Sequence, residues 1–492
     1  MTAAEDRADD QLPYRTKLVF GIGSAAESIC LYSYGALVTI YYNQVLGMEI
    51  WMAGIAPTIA IRVDAFCDPF MGSFSDRFRS NKWGRRHPFM LFSPLPIALA
   101  FWCIFNPLDG LSEYQLFGWL TFWAIVLRTL MTIYHVPHLA MGGELAKSYT
   151  GRSAVMSYNN FFYWIGGAAM FKVNQLIFFA TAGVAGNALL NESGYTPFST
   201  AMALTIVVVL FSSAWFTRDR IVHMPQPDPD APPFSMRDFL GDLIKAFSNR
   251  NYLFLMIAFF CLSMMLGVRG GIGVYMEIYY WELSAGELAD VRFYPSLIGY
   301  VLGFALAAQF HRWFEKRATI VVTAVALSIF PALPVVLRLM GVFSENGEAG
   351  VYWGLMICYA FGALSGSVLN ISVMSGLADI ADQIELRHRI RQEGTLYAAR
   401  TFFAKLDSSI GQALATFSLW LISFPQDAKP GRVPEDTIWW MGVIDSPITI
   451  IPGLIAACFY AQFRISRKSY EETRAALEKR RGEDEAAQGA GA

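Results

Sequence analysis

The chain has 492 residues, of which 54% are hydrophobic and only 16% are charged, and its formal net charge is −2. Soluble proteins carry about 25% charged residues. This composition therefore argues against an ordinary soluble enzyme and excludes a disordered chain, a collagen-like fibre and a small disulfide scaffold. Since one membrane-spanning helix needs about 20 residues, the apolar content is sufficient for many such helices.

Apolar segments follow one another along the chain and predict an all-α membrane protein with twelve transmembrane helices. The polar, acidic segment 1–17 lacks the basic, apolar and small-residue regions of a signal peptide. The predicted spans are residues 18–43, 50–75, 88–108, 116–141, 153–180, 198–217, 251–281, 293–311, 318–342, 350–378, 395–423 and 440–463.

Basic residues in the loops predict the orientation of these helices. The loops that would face the cytoplasm are rich in Lys and Arg, for example at 77–86, 218–250 and 464–481. The outer loops contain only Arg292, Lys429 and Arg432. This distribution follows the positive-inside rule and predicts that both termini are cytoplasmic.

The longest inner connection divides the chain into two predicted bundles. Residues 18–217 would form an N-terminal six-helix bundle and residues 251–463 a C-terminal one, as in transporters built from repeated halves. Residues 218–250 would form a cytoplasmic linker. Its prolines favour an extended chain, and the segment 235–248 has the pattern of an amphipathic surface helix. Residues 464–492 are predicted to be a cytoplasmic tail.

Two aspartates in the second span are the strongest candidates for a functional site. Asp64 and Asp68 are four residues apart, so they share one face of the helix. Charge at membrane depth is costly and usually marks a functional site. Because two carboxylates on one buried face repel each other when both are ionised, the pair needs a cation, a proton or a basic partner. The alternative is a structural ion pair.

The fourth and fifth spans contain polar side chains that could contact a cation or a solute. Thr132 can supply an oxygen to a cation, and His135 lies close to the same helix face. An intramembrane histidine can hydrogen-bond a solute or relay a proton, or it can be a satisfied structural residue. Asn159 and Asn160 are adjacent, so only one of them can face a cavity.

Basic residues in the seventh and eleventh spans are further candidates. Lys405 could neutralise the carboxylate pair when no cation is bound, or it could extend to the cytoplasmic surface. Arg400 and Thr401 lie on the same span. Arg269 and Glu277 in the seventh span would either line the outer half of a cavity or pair with each other.

Several motifs, in order along the chain, resemble those of the glycoside–pentoside–hexuronide:cation symporters of the major facilitator superfamily. They are DAxxDP at 64–69, GxxxD at 72–76, WGRRxP at 83–88, RQEG at 391–394 and YxxxTxxxK at 397–405. The resemblance implies a cation site made by Asp64, Asp68 and Thr132, with Lys405 close to it. It also implies a cytoplasmic gating loop. The residues of that loop are Gly72, Asp76, Arg85 and Arg86.

Departures from the family pattern affect the coupling ion and the solute. Cys67 replaces the asparagine of the family's cation site, and Na⁺ prefers oxygen ligands, so this replacement favours proton coupling. Ser28 and His135 stand where the family has aspartates that bind sugar, and Asn160 stands where it has an arginine. The resemblance therefore implies retained cation coupling with an altered solute site.

The sequence thus predicts a cation-coupled symporter in a bacterial inner or plasma membrane, with Na⁺ or H⁺ as coupling ion and no other cofactor. A monomer is expected, and no nucleic-acid partner. The candidate solute contacts are Ser28, His135, Asn160, Arg269, Arg400 and Thr401. The solute would be sugar- or glycoside-like. One alternative is an amphipathic, lysolipid-like solute on the same fold, and another is a membrane sensor that transports nothing.

Overall fold

The computed structural model describes residues 12–78, 82–146, 149–182, 188–224, 247–388 and 393–463, with isolated positions 80, 235, 241, 472–473, 475–477 and 479. All regular secondary structure in these ranges is helical, which confirms the all-α part of the predicted fold class. The helices are α1 (Tyr14–Ile40), α2 (Ile50–Arg77), α3 (His87–Phe92), α4 (Pro94–Ile104), α5 (Glu113–Glu144), α6 (Tyr149–Ala182), α7 (Tyr195–Phe216), α8 (Arg250–Tyr275), α9 (Ala285–Trp313), α10 (Lys316–Ile329), α11 (Leu333–Leu339), α12 (Ala349–His388), α13 (Glu393–Leu421), α14 (Glu435–Val443) and α15 (Thr449–Tyr460). Most of the predicted linker, its surface helix and the C-terminal tail lie outside the described residues.

Seven helical segments of the described chain are long and apolar enough to cross a membrane, and α4 is a shorter apolar helix. Twelve spans and cytoplasmic termini stay predictions. Proline accounts for two places where the α-helical hydrogen-bond pattern is interrupted, because it has no backbone N–H to donate. Pro94 begins α4 directly after Ser93, and Pro447 lies in the π-helical turn between α14 and α15.

The chain divides into two compact units. The first comprises Met1–Phe234, Gly267–Phe293 and Ser409–Met441, and the second comprises Ser235–Leu266, Tyr294–Ser408 and Gly442–Ala492. In the first unit, α1 packs against α6 and α7, and α2 packs against α5. In the second unit, α10 packs against α12 and α15. The second core includes the fully buried residues Tyr252, Leu255 and Ile320.

Glycines permit close helix contacts within each unit. A Cβ atom on Gly166 of α6 would lie 2.7 Å from the Cα of Ala25 in α1. In the second unit, a Cβ on Gly299 of α9 would lie 2.5 Å from the Cβ of Ala363 in α12. Membrane helices associate through such small residues, because lipid offers no hydrophobic force that drives helices together.

Two π-helical turns repeat one local structure in the first unit. The turn Tyr41–Val45 ends α1 and the turn Met276–Tyr280 ends α8. In the first, the amides of Leu46 and Met48 bond to the carbonyls of Tyr41 and Tyr42. Trp281 and Leu283 make the same bonds to Met276 and Glu277. The first helix of each sequence half therefore ends in the same local structure.

Candidate functional site

The two aspartates of α2 meet a threonine of α5 in the first unit. Asp64 is only 3% exposed and Asp68 is half-buried one helical turn further on. The Thr132 hydroxyl is hydrogen-bonded to Oδ1 of Asp64 and lies 3.0 Å from Oδ1 of Asp68. Since α2 packs along α5, three oxygen-bearing side chains converge between these helices. Hard cations bind such oxygen ligands, and a carboxylate can instead take a proton.

Arg128 is a member of this cluster that the sequence interpretation missed. Its guanidinium Nη1 lies 3.6 Å from Oδ2 of Asp64 and its Cζ lies 5.9 Å from the ring centroid of Tyr34 on α1. Arg128 precedes Thr132 by four residues, so both share one face of α5. That spacing, together with the cost of a charge inside a span, was a signal that could have identified it.

The other residues predicted for the cation site lie as follows. Cys67 is half-buried on α2. Lys405 is half-buried on α13, in the part that belongs to the second unit, so its predicted place near the carboxylates stays a prediction. Among the described residues, no group of three or more His, Cys, Asp or Glu side chains could hold a metal ion.

His135 contacts an acidic residue that the sequence interpretation also missed. Its Nδ1 lies 2.6 Å from Oε1 of Glu27, which is 4% exposed on α1. Ser28 is buried next to Glu27, but its hydroxyl donates to the carbonyl of Ala25 at 2.9 Å. A solute here would therefore meet a carboxylate–imidazole pair.

The remaining predicted solute contacts are distributed over both units. On α6, Asn160 is exposed, whereas its neighbour Asn159 is buried and accepts a hydrogen bond from Ser24. Arg269 is half-buried on α8 in the first unit. On α13, Thr401 is exposed and Arg400 donates to Asn370 at 3.1 Å, both in the second unit. Asn160 and Arg269 thus lie on first-unit helices other than α2 and α5, which carry the carboxylate cluster.

The predicted gating loop makes a compact set of ion pairs at one end of α2. Arg86 is 5% exposed and its Nη2 lies 2.6 Å from Asp76 and 2.7 Å from Glu144. Arg85 Nη2 lies 2.6 Å from the same oxygen of Glu144. Glu144 ends α5 and was not predicted from the sequence. Gly72 lies one turn earlier, where a Cβ would be in ordinary contact with Val136.

A second set of contacts lies at the opposite end of the first unit, which the predicted topology places on the outer side of the membrane. Lys172 of α6 is ion-paired with Asp290 of α9. Arg292 Nε donates to both carboxylate oxygens of Glu277 at 2.8 and 2.7 Å, and its guanidinium lies 4.7 Å from the ring centroid of Phe171. These contacts connect the N-terminal helices with Gly267–Phe293.

The two repeated π-helical turns also touch each other at this end. The Tyr275 hydroxyl lies 2.9 Å from Oδ1 of Asn43, and the Tyr279 hydroxyl lies 3.0 Å from Oε1 of Gln44. Gln44 also donates to the carbonyl of Pro425, in the segment after α13. Hence segments from both halves of the sequence meet at this end of the first unit.

Comparisons with known proteins agree with this arrangement. A family model described as MFS/sugar transport protein matches residues 19–467. The chain is 23% identical to the Inner membrane symporter YicJ of Escherichia coli (strain K12), over 94% of this chain and 93% of the relative. It is 21% identical to the Sodium-dependent lysophosphatidylcholine symporter 1 of Mus musculus, over 97% and 91%.

A solved structure shares the fold. It is a bacterial homologue of the human lysosomal transporter Spinster, described as inward-facing and unoccupied. The TM-score is 0.64 at 12% identity, and the match covers 95% of this chain and 98% of the other.

Proposed function

We propose that this chain, which belongs to the MFS/sugar transport protein family, is a cation-coupled secondary transporter that moves a sugar- or glycoside-like solute by alternating access. The match and the relatives confirm the resemblance to the glycoside–pentoside–hexuronide:cation symporters. The family and these relatives are transporters rather than enzymes. The chain is an integral membrane protein, and its Escherichia coli relative is named an inner membrane symporter.

The convergence of Asp64, Asp68 and Thr132 is the observation that carries the coupling part of the proposal. A hydroxyl placed against two carboxylates forms a site where one added positive charge relieves repulsion. A cation or proton bound there therefore stabilises a packing of α2 on α5 that differs from the packing without it. A ligand that binds one conformation better shifts the population toward that conformation.

The contacts at the outer end of the first unit support the alternating-access part. Lys172, Asp290 and the paired π-helical turns hold segments of both sequence halves together on that side. Opening toward the outside requires these contacts to break. Ion pairs and hydrogen bonds that can separate as a group suit a two-state gate.

The solute part rests on the family and on the pair formed by Glu27 and His135. A carboxylate and an imidazole both make directional hydrogen bonds, which suit the hydroxyl groups of a sugar. A lysolipid-like solute is the second candidate, because a mouse relative is named for such a solute. Under that alternative, the imidazole and carboxylate would contact the polar head of the lipid.

Uptake into proteoliposomes tests the function. The full chain would be assayed with a radiolabelled glycoside panel and with lysophosphatidylcholine, under an imposed Na⁺ or pH gradient. We expect concentrative uptake of one probe class, lost in Asp68→Asn and kept in the matched control Asp436→Asn, which alters an exposed residue. Full gradient-driven uptake by Asp68→Asn would refute the cation assignment. Binding of a probe without uptake by the wild type would instead favour the sensor.

A further inference from the structure

We infer that Arg128 is a specificity-determining residue for the coupling ion, which excludes Na⁺ from the carboxylate site and leaves the proton as the ion that is co-transported. This inference rests on the proposed function, in which the α2 carboxylates bind the coupling cation. It deepens that proposal by choosing between its two ions.

Both carboxylate oxygens of Asp64 have neighbours on α5. Its Oδ1 accepts the Thr132 hydroxyl, and its Oδ2 faces the Arg128 guanidinium at 3.6 Å. The Arg128 Cζ also lies 5.9 Å from the ring centroid of Tyr34 on α1. A permanently charged guanidinium therefore stands beside one of the two carboxylates that a sodium ion would need.

A second positive charge beside Arg128 is costly. A guanidinium and a Na⁺ ion separated by about 4–6 Å repel each other, and at an effective dielectric constant near 20 this weakens binding by roughly 10²–10³-fold. Na⁺ must also collect several oxygen ligands, whereas a proton needs only one carboxylate oxygen. The arginine charge repels either cation, but only Na⁺ also needs the Asp64 oxygens that Thr132 and Arg128 already contact.

Other charged and titratable groups lie on the helices around the site. On α1, Tyr34 faces Arg128, and Glu27 is paired with His135 of α5. The segment Ser409–Leu421 of α13, which contacts α2 through Thr58, contains no charged residue. α4, which packs against α5, contains none either. Arg62 on α2 lies 3.4 Å from the Ser409 hydroxyl. His87 of α3 contacts Thr217, and Lys172 of α6 is paired with Asp290. Arg128 is the basic residue whose ion pair with Asp64 the structure describes.

Direct cation binding tests this inference without knowledge of the solute. Binding of ²²Na⁺ to the purified full chain would be measured at pH 7.5, together with the unfolding midpoint in NaCl against choline chloride. We expect no saturable Na⁺ binding and no Na⁺-specific stabilisation of the wild type at concentrations up to about 100 mM. Arg128→Gln should gain both, with Na⁺ affinity rising by roughly 10²–10³-fold.

Control variants separate charge from other effects of the substitution. Arg128→Lys retains the positive charge and should behave like the wild type. The double variant Arg128→Gln/Asp68→Asn should lose the gained Na⁺ binding. Arg128→Met removes the charge but keeps an aliphatic chain, and it replaces the Gln variant if that protein aggregates.

Two results would overturn the assignment. One is saturable Na⁺ binding by the wild type in the millimolar range. The other is Na⁺ binding that stays undetectable in folded variants lacking the arginine charge. Failure of the proposed function has a different signature, which is full gradient-driven uptake by Asp68→Asn. Wild-type Na⁺ binding that disappears in Asp68→Asn would leave the function standing and reject the role of Arg128.

Discussion

Replacing Lys172 by glutamine should weaken the closed state of the outer gate. Lys172 lies on α6, and its ion-pair partner Asp290 lies on α9 within the part of the second sequence half that packs in the first unit. The substitution removes the positive charge but keeps a side chain of similar length. Asp290 would then remain beside an uncharged amide.

The expected magnitude follows from the burial of the pair. The two side chains are 28% and 26% exposed, so the pair lies between exposed ion pairs worth about 0.2–1 kcal/mol and buried ones whose disruption costs about 3–5 kcal/mol. An intermediate cost of about 1–3 kcal/mol corresponds to a roughly 5–150-fold change in the ratio of closed to open states. Salt should reduce the effect, because the pair is partly solvated.

Thiol labelling can measure this shift. Leu37 is buried and lines a small cavity at the outer end, together with Phe171 and Val274. In a Leu37→Cys background, a membrane-impermeant thiol reagent added from outside should react roughly 5–150-fold faster after Lys172→Gln. Exchanging the charges, with Lys172→Asp and Asp290→Lys together, should restore slow labelling. Lys429→Gln, in an exposed outer loop, is the matched control. Unchanged labelling in Lys172→Gln, in a folded protein, would refute the proposed gate.

Three further variants test the site, the packing and the cytoplasmic latch. In the Arg128→Gln background, Thr132→Val should lower the gained Na⁺ affinity by roughly 10–100-fold, because the cation loses the oxygen that lies next to both carboxylates. Thr132→Ser should retain the affinity, and equal loss in both would place the effect elsewhere. Gly299→Leu should lower the free energy of unfolding by about 1–3 kcal/mol through overpacking, seen as a lower unfolding midpoint. Gly118→Leu, where a Cβ meets open space, should not. Arg86→Gln should reduce transport more than Glu144→Gln does, since Arg86 also contacts Asp76 and Ser75, and the reverse order would contradict the arrangement of the latch.

Much of the fold was predictable because the membrane imposes simple requirements. Long apolar segments become helices, since a backbone inside lipid must satisfy its own hydrogen bonds. The carboxylate pair could also be predicted, because Asp64 and Asp68 lie on one helix and their spacing alone puts them on one face. Predicting that Thr132 lies beside the carboxylates required knowing which helix packs on α2, and the resemblance to the symporter family supplied that.

The residues that sequence reasoning missed all act across helices. Arg128, Glu27 and Glu144 have no motif of their own, and their partners lie far away in sequence. Whether two such side chains meet depends on the rotation and crossing of helices. Those are determined by packing, for example at Gly166, and not by the hydropathy of each span. The same reason explains why Asn159, and not the predicted Asn160, is buried against Ser24.

The sequence by itself determined that this protein is an all-helical membrane transporter with a pair of carboxylates in its second span. Hydropathy and charge are local properties, and they act on each segment separately. Only the tertiary structure decided which charges meet: a guanidinium beside Asp64, a histidine beside Glu27, and a lysine of α6 beside an aspartate of α9. Electrostatic energy depends on distances of a few ångströms, and packing brings those atoms together from distant parts of the chain.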